Sequence, residues 1–481
     1  MSKTIPRIIP APLPLLALAA MLALSACAVT RVDPPAPASA PAQFKEDGLW
    51  RHARAQAAGT VEVPDAWWTL FQDPVLDELQ QRLVIGNENL KAAVAQVNSA
   101  RAALVASRSA MFPTLGVALS GTRSASPDSN NGNTGSGGRN PGNSVQLGAT
   151  ASWELDLWGR LAMASQGANA SLQASVNDLA AARLSAQALL AQTYFSLRAA
   201  EAQQSLYERS VKAYERSLQL TQARYDGGVA ARTDVLQAQT QLRSAQAQLL
   251  EAVASRAQLE HAIAVLLGLP PSSLDLARND ALPQPPAVPT LLPGTLLERR
   301  PDIAAAQQRV HSAYAQIGIA DAAYFPSLTL SASGGYRGSA LGQLIEAPNL
   351  FWSVGPSLAA SIFDGGQRKL ASAQARASAE QASSNYRQLV LTALQEVEDN
   401  LVLADALQDE ARLQSEALAA AQRNLEITLD QYRAGTVSYL NVVTAQTAAL
   451  SSESSLLSVR NRQLAAVNQL LKNIAGRWEK A

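Results

Sequence analysis

The chain has 481 residues, with 39 Lys and Arg against 39 Asp and Glu and a formal net charge of zero. That balance offers no basic face for nucleic acid, and a single cysteine with three scattered histidines excludes an internal disulfide and argues against a zinc site. Aromatic residues are 5% of the chain while Ala, Gln and Leu dominate, a mixture suited to long, closely spaced helices rather than to a conventional globular core.

The first predicted element is a leader. Lys3 and Arg7 precede an apolar run from Ile8 to Ala23 that is interrupted by Pro10, Pro12 and Pro14. A charged start, a short apolar stretch and small residues before a cut site describe a secretory signal peptide rather than a membrane span. The leader ends in Leu24-Ser25-Ala26-Cys27, which resembles a bacterial lipobox. The resemblance implies cleavage before Cys27, a diacylglyceryl group on its thiol and an N-acyl group on the new amine. Several chains make a stable anchor where one is marginal. Ala28 stands where an aspartate would resemble an inner-membrane retention signal, which favours the outer membrane. Residues 1–26 are thus read as signal peptide and 27–64 as a lipid-anchored Pro/Ala-rich segment. No later segment reaches the ~18 consecutive apolar residues of a membrane helix, which excludes a helical inner-membrane transporter.

The remainder is written twice. Phe112-Pro113-Thr114-Leu115 recurs as Phe325-Pro326-Ser327-Leu328, Leu155-Asp156 as Phe363-Asp364, Tyr225-Asp226-Gly227-Gly228 as Tyr432-Arg433-Ala434-Gly435, and Ala238-Gln239-Thr240 as Ala445-Gln446-Thr447. The order is kept, as in a duplicated unit. A first repeat over 65–268 and a second over 294–481 are joined by a Pro-rich linker, 269–293. Each repeat reads helix, strand, polar loop, strand, long helix, tight turn, long helix. Strands are predicted near 114–121, 144–155, 327–336 and 353–363, with alternation visible in Leu115, Val117 and Leu119 and again in Leu328, Leu330 and Ala332. Strands near ten residues suit a tilted crossing of a bilayer. The loop 122–143 is Ser, Asn and Gly throughout and reads as solvated.

Between Val176 and Tyr225 there is neither proline nor glycine, and Leu190, Leu197, Gln204, Val211, Leu218 and Tyr225 fall seven apart. Val390, Val397, Ala404, Ala411, Leu418, Leu425 and Tyr432 repeat the phase. Return helices carry Val235, Leu242, Leu249 and Ile263, and Val442, Ala449, Leu456 and Leu470, with Arg256 and Gln463 interrupting the stripes. Seven-residue spacing means helices that supercoil side by side, and ~60 residues would reach about 90 Å. Strands in a bilayer must close, because a lipid-exposed edge leaves backbone groups unpaired. Four strands cannot close a barrel of useful width, so several chains must share one. Seams of Ala, Thr and Gln among the Leu and Val suit a helical wall with a wet inner face.

The ordered set of Leu24-Ser25-Ala26-Cys27, Trp67-Trp68 with Phe71 and Asp73-Pro74, Glu298-Arg299-Arg300-Pro301-Asp302-Ile303, the paired Phe-Pro strands and the Tyr-x-x-Gly turns resembles the outer-membrane factors of tripartite efflux systems, the OprM and NodT lipoprotein branch of the TolC superfamily. The resemblance spans essentially the whole mature chain. It implies a mixed α and transmembrane β fold: a homotrimer with a shared 12-stranded β-barrel in the outer membrane, continuous with a 12-helix periplasmic α-barrel. It further implies a periplasmic adaptor, an inner-membrane pump of the resistance-nodulation-division type, and passive conduction of small toxic compounds to the exterior.

The two turns are the candidate gate: Tyr225, Asp226, Gly228, Asp234, Tyr432, Arg433, Gly435 and Asn441. Gly227-Gly228 and Gly435 permit the positive φ of a tight reversal. Asp234 has two readings. It can cap the return helix, or, as in TolC-like channels, join a closing network with Tyr432. TolC carries an arginine where this chain has Val437 and aspartates where it has Asn441 and Thr444, so the closing contacts must differ and the ring at Asn441 is uncharged. Arg433 is the replacement cation, paired with Asp226 or Asp234. Trp153, Trp158 and Trp352 read either as an interfacial aromatic girdle or as packing. Asp156 and Asp364 read as turn or capping residues, and Arg299, Arg300 and Asp302 as ordinary helix initiation. Nothing in the sequence pairs a nucleophile with a base or forms a glycine-rich phosphate loop, so neither catalysis nor a cofactor is expected beyond the lipid on Cys27. A type I protein-secretion conduit and a non-transporting coiled-coil envelope tether are the alternatives. The second does not explain the strand pairs.

Overall fold

The computed structural model describes residues 32–36, 41, 43–46, 66–124, 141–288 and 299–475. The expectations for the leader and Cys27, for most of the polar loop and for Glu298 lie outside the described residues. In chain order the elements are a 3-10 turn (Trp67–Phe71), α1 (Pro74–Gly86), α2 (Glu88–Ser109), β1 (Thr114–Ser124), β2 (Gly142–Leu155), α3 (Arg160–Asp226), α4 (Arg232–Leu266), α5 (Pro301–Ala322), β3 (Ser327–Gly338), β4 (Leu350–Ala359), α6 (Gln367–Ala434) and α7 (Tyr439–Ile474). The four predicted strands are present. β4 begins at Leu350 and ends at Ala359 rather than spanning 353–363. Its predicted last residues have already left the sheet for a reversal in which Gly365 and Gly366 both take positive φ.

The chain divides into two compact units, each drawing on both halves of the sequence. The first combines 98–174 with 307–385 and contains the sheet. Its strands pair antiparallel in the order β1-β2-β3-β4, which leaves β1 and β4 as open edges. Asp156 and Asp364 behave as capping residues. Asp156 accepts from the amides of Leu161 and Ala162 at 3.1 and 2.8 Å, and Asp364 from those of Gly366 and Arg368 at 2.9 and 3.2 Å.

The second unit holds 41, 43–46, 66–97, 175–288, 299–306 and 386–475 among the described residues. The heptad positions explain its packing. Leu190, Leu197, Val390, Val397, Ala404, Val442, Ala449, Leu456 and Leu470 are buried, as are Val235, Leu242 and Ile263. Each large apolar side chain so buried contributes about 1.5–3 kcal/mol. The Trp67-Trp68-Phe71 motif enters the same core, where Phe71 packs against Phe195 with ring centroids 4.6 Å apart. Asp73 explains the Asp-Pro that follows. It caps α1 by accepting from Val75 and Leu76, with Pro74 starting the helix, and its second oxygen accepts the buried Tyr194 hydroxyl at 2.6 Å.

Arg256, which interrupts the α4 stripe, belongs to a buried ionic knot. Glu201 is fully buried and receives Arg198 at 2.6 Å, Arg256 at 3.1 Å and the Asn279 amide at 3.1 Å. Arg256 also pairs with Glu260 at 2.9 Å and donates to the Leu276 carbonyl at 2.7 Å, while Glu260 accepts the Leu276 amide at 2.8 Å. The start of the linker is thereby strapped to α3 and α4. Arg300 plays a comparable part for α5: it donates to Asp302 and to Glu396, each at 2.7 Å. Burial opposes the Asp302 charge, yet the Arg300 guanidinium holds its carboxyl below the usual carboxylate range.

Candidate functional site: an amphipathic sheet and two matched turns

Residues directly opposite each other in an antiparallel pair share a face, so the register sorts the sheet. One face carries the rows Leu119–Leu147–Tyr336–Leu350, Val117–Ala149–Gly334–Trp352, Leu115–Ala151–Ala332–Val354, Trp153–Leu330–Pro356 and Leu155–Leu328–Leu358. The other carries Gln146–Arg337, Thr150–Ser333–Ser353, Ser152–Ser331–Gly355 and Glu154–Thr329–Ser357. The apolar face is bare on this chain: Leu115, Val117 and Trp352 are each more than three-quarters exposed. From Leu147 to Leu155 it runs about 27 Å along β2 at the usual strand rise, close to the ~25 Å apolar band of outer-membrane barrels. No described helix is long and apolar enough to cross a membrane. The tryptophans divide between their two readings. Trp153 and Trp352 sit on the apolar face, whereas Trp158 donates to the Pro326 carbonyl at 2.6 Å and stacks on Phe325 at 4.9 Å.

In the helical unit, the two reversals are built alike. Gly228 (φ 74°) and Gly435 (φ 80°) each follow a helix end in left-handed backbone, a conformation L side chains resist. The amides of Val229 and Thr436 reach back to the carbonyls of Arg224 and Gln431 at 2.8 and 2.9 Å, and those of Gly228 and Gly435 to Tyr225 and Tyr432 at 2.8 and 3.0 Å. This is the Schellman pattern twice over. Gly227, in contrast, does not use positive φ.

Equivalent residues then part company. Tyr225 is exposed, but Tyr432 is buried in a cluster with Ala238, Tyr439 and Val442, its ring 5.4 Å from that of Tyr439. The Tyr432 hydroxyl meets Thr221 Oγ1 at 3.4 Å and not Asp234. Asp234 is no cap either. The N-cap position is Ala231, without a side-chain hydrogen bond, and Asp234 sits within the first turn of α4. Its charge acts on Tyr439, whose hydroxyl is pushed up by burial and by the charges of Tyr432, Tyr214 and Asp234. Arg433 pairs with Asp430 at 2.9 Å, three residues back on its own helix, rather than with Asp226 or Asp234, and Asp226 accepts from Gln222 at 2.9 Å. Asn441 is exposed.

The strut between the turns is Arg224, which the sequence reading passed over. Its Nη1 donates to the carbonyls of Tyr432 and Arg433 at 3.0 and 3.1 Å, and its guanidinium lies 4.9 Å from the Tyr432 ring centroid. A cation next to a second helix's terminal carbonyls interacts favourably with that helix's dipole. Here it adds a second donor to the Tyr432 carbonyl, which already accepts the Gly435 amide, and supplies one to the Arg433 carbonyl. The signal was available: the duplication aligns Arg224 with Gln431, so only one copy carries the charge.

Comparison with known proteins gives the following. The family model described as outer membrane efflux protein matches residues 79–269 and again 292–476. The pyoverdine export outer membrane protein OpmQ of Pseudomonas aeruginosa is 31% identical over 470 residues, 96% of each chain. The probable efflux pump outer membrane protein TtgC of Pseudomonas putida is 29% identical over 428 residues, covering 89% of this chain and 88% of that protein. Among solved structures, the outer-membrane channel OprN superposes with a TM-score of 0.85 at 28% identity, covering 94% of this chain and 99% of that one.

Proposed function

Because the chain belongs to the outer membrane efflux protein family, its fold is that of an outer-membrane efflux channel, and we propose that three copies assemble into one passive duct. The observation that carries this is the sheet: one apolar face, one polar face and two unpaired edges. Such a sheet is satisfied in a bilayer only when further strands close it. Three copies give twelve strands, with the apolar rows to lipid and the polar rows to a water-filled lumen. The helices then enclose the periplasmic continuation, with the strand ends at residues 124, 142, 338 and 350 facing outward.

A periplasmic adaptor and an inner-membrane pump of the resistance-nodulation-division type are the proposed partners; the lipoprotein-branch motifs of this chain support them. Efflux of small toxic compounds fits the relatives, of which OpmQ is named for pyoverdine export and TtgC for an efflux pump. The two turns form the closing end, with Asp234, Asn441 and the exposed Tyr225 turned toward neighbouring copies. Opening is a shift of the helix pairs between two packings.

Reconstitution of the purified protein in planar bilayers tests the duct. Stepwise conductance from a species whose mass is that of three chains is expected; a compact monomer that carries no current refutes it. The lipid anchor on Cys27 is a separate proposal. Mature protein should carry the mass of a diacylglyceryl and an N-acyl group, and Cys27→Ser should lose both. An unmodified wild-type mass sinks it.

A further inference from the structure

The four strands contain three charged side chains, Arg123, Glu154 and Arg337. Arg123 is in register with Asn143, beyond the end of the apolar rows. Glu154 is on the polar face but is neutralised by Arg160, which grips both its oxygens at 2.7 and 2.8 Å. Arg337 is also on the polar face and has no ion-pair partner among the described residues. The polar face therefore carries one uncompensated positive charge per chain, near the end of the sheet remote from the helices.

Arg337 is held rather than loose. Its Nε and Nη2 both donate to Gln146 Oε1, at 3.0 and 2.7 Å, from the position directly across the β2–β3 ladder. Its guanidinium carbon lies 5.4 Å from the ring centroid of Phe351. The ring lies in the row of Gly335, its register partner, and reaches over Gly148, the next across. Phe351 Cζ sits 3.5 Å from where a Gly148 Cβ would be, and a Cβ on Gly335 would collide with the Leu147 carbonyl. Two donor positions are thus pinned by a neutral amide and the cation rests beside an aromatic ring. Nη1 is left with no hydrogen-bond partner among the described residues, on an exposed side chain. A guanidinium fixed in this way presents a donor edge that suits carboxylate and a planar surface that suits an aromatic ring.

We propose that Arg337, positioned by Gln146 and Phe351, is an anion-selecting site on the water-filled face of the sheet, with flat aromatic carboxylates as its preferred ligands. The inference rests on the duct reading above, since it requires the polar face to line the lumen. Three copies would then set three cations at one level of the path, the arrangement that makes a pore favour anions.

The test is reversal potential across a KCl gradient at low salt, followed by block with benzoate, in channels of the full chain. Wild type should prefer chloride to potassium by about fivefold more than Arg337→Gln, the Boltzmann factor of one unit-charge contact in water, and Arg337→Glu should favour potassium. Phe351→Ala should keep the chloride preference and lose benzoate block. Arg337→Lys, which keeps the charge without the planar fork, should do the same, and it serves as the readout if the glutamine variant does not assemble. Channels of normal conductance whose reversal potential is identical in wild type, Arg337→Gln and Arg337→Glu overturn the site. Equal benzoate block in wild type, Phe351→Ala and Arg337→Lys overturns the ligand class. Absence of any wild-type channel fails the duct reading itself, and is distinguishable for that reason.

Discussion

Replacement of Arg224 by alanine is expected to raise the mean conductance of reconstituted channels severalfold. The substitution removes two charge-assisted hydrogen bonds to the carbonyl end of α6 and a cation–ring contact with Tyr432. Hydrogen bonds to a charged group are worth roughly 1.5–3 kcal/mol each, net of the exchange with water. If ~2 kcal/mol of that total favours the closed packing, the ratio of closed to open shifts by about 30-fold. Arg433→Ala is the control, because an exposed pair three residues apart contributes at most a few tenths of a kcal/mol. Tyr432→Phe should do little, since it keeps the ring and loses only a 3.4 Å contact to Thr221. Conductance unchanged in Arg224→Ala would show that the strut braces the turns without holding the channel shut.

The largest loss of stability is expected from Glu201→Gln. This carboxylate has no exposure and answers two guanidiniums and one backbone amide. Removing one partner of a buried ionic group leaves the others uncompensated, at about 3–5 kcal/mol. In a unit of this size that lowers the thermal midpoint by about 10 °C, read by circular dichroism at the helical minimum. The linker beyond Leu276 should also become sensitive to protease, since its backbone is tied to the same knot. Glu208→Gln removes an exposed pair with Arg278 and should shift the midpoint by no more than a degree or two. Coincident melts of wild type and Glu201→Gln would mean that water already solvates the knot.

The architecture was legible because its signals are periodic and repeated. Heptads marked the buried positions Leu190, Leu197, Val390, Val397 and Ala404, though Tyr225 at the end of the first series is exposed. Alternation marked the strands, and the paired Phe-Pro and Tyr-x-x-Gly motifs gave their order. The Asp-Pro after Trp67-Trp68 was visible as a motif, but not as the cap that also holds Tyr194. Polar contacts at the turns were much less legible. From the sequence Asp234 reads either as a cap or as a partner of Tyr432, yet the N-cap is Ala231 and the Tyr432 hydroxyl meets Thr221, while Arg433 pairs not with a distant acid but with Asp430, one helical turn away. A side-chain partner depends on which of several nearby groups the backbone presents, and spacing alone cannot rank them. Arg224 is not marked by the motifs the two copies share, because its importance lies in a difference between them.

That difference has a consequence for the history of the fold. A chain made by joining two copies of the second half would keep both reversals, with their glycines and back-bonded amides, but would carry glutamine at both brace positions. A chain made from two first halves would have an arginine at each. The halves are therefore no longer interchangeable: the two arms reverse alike, but the brace runs one way, from the first turn to the carbonyls of the second.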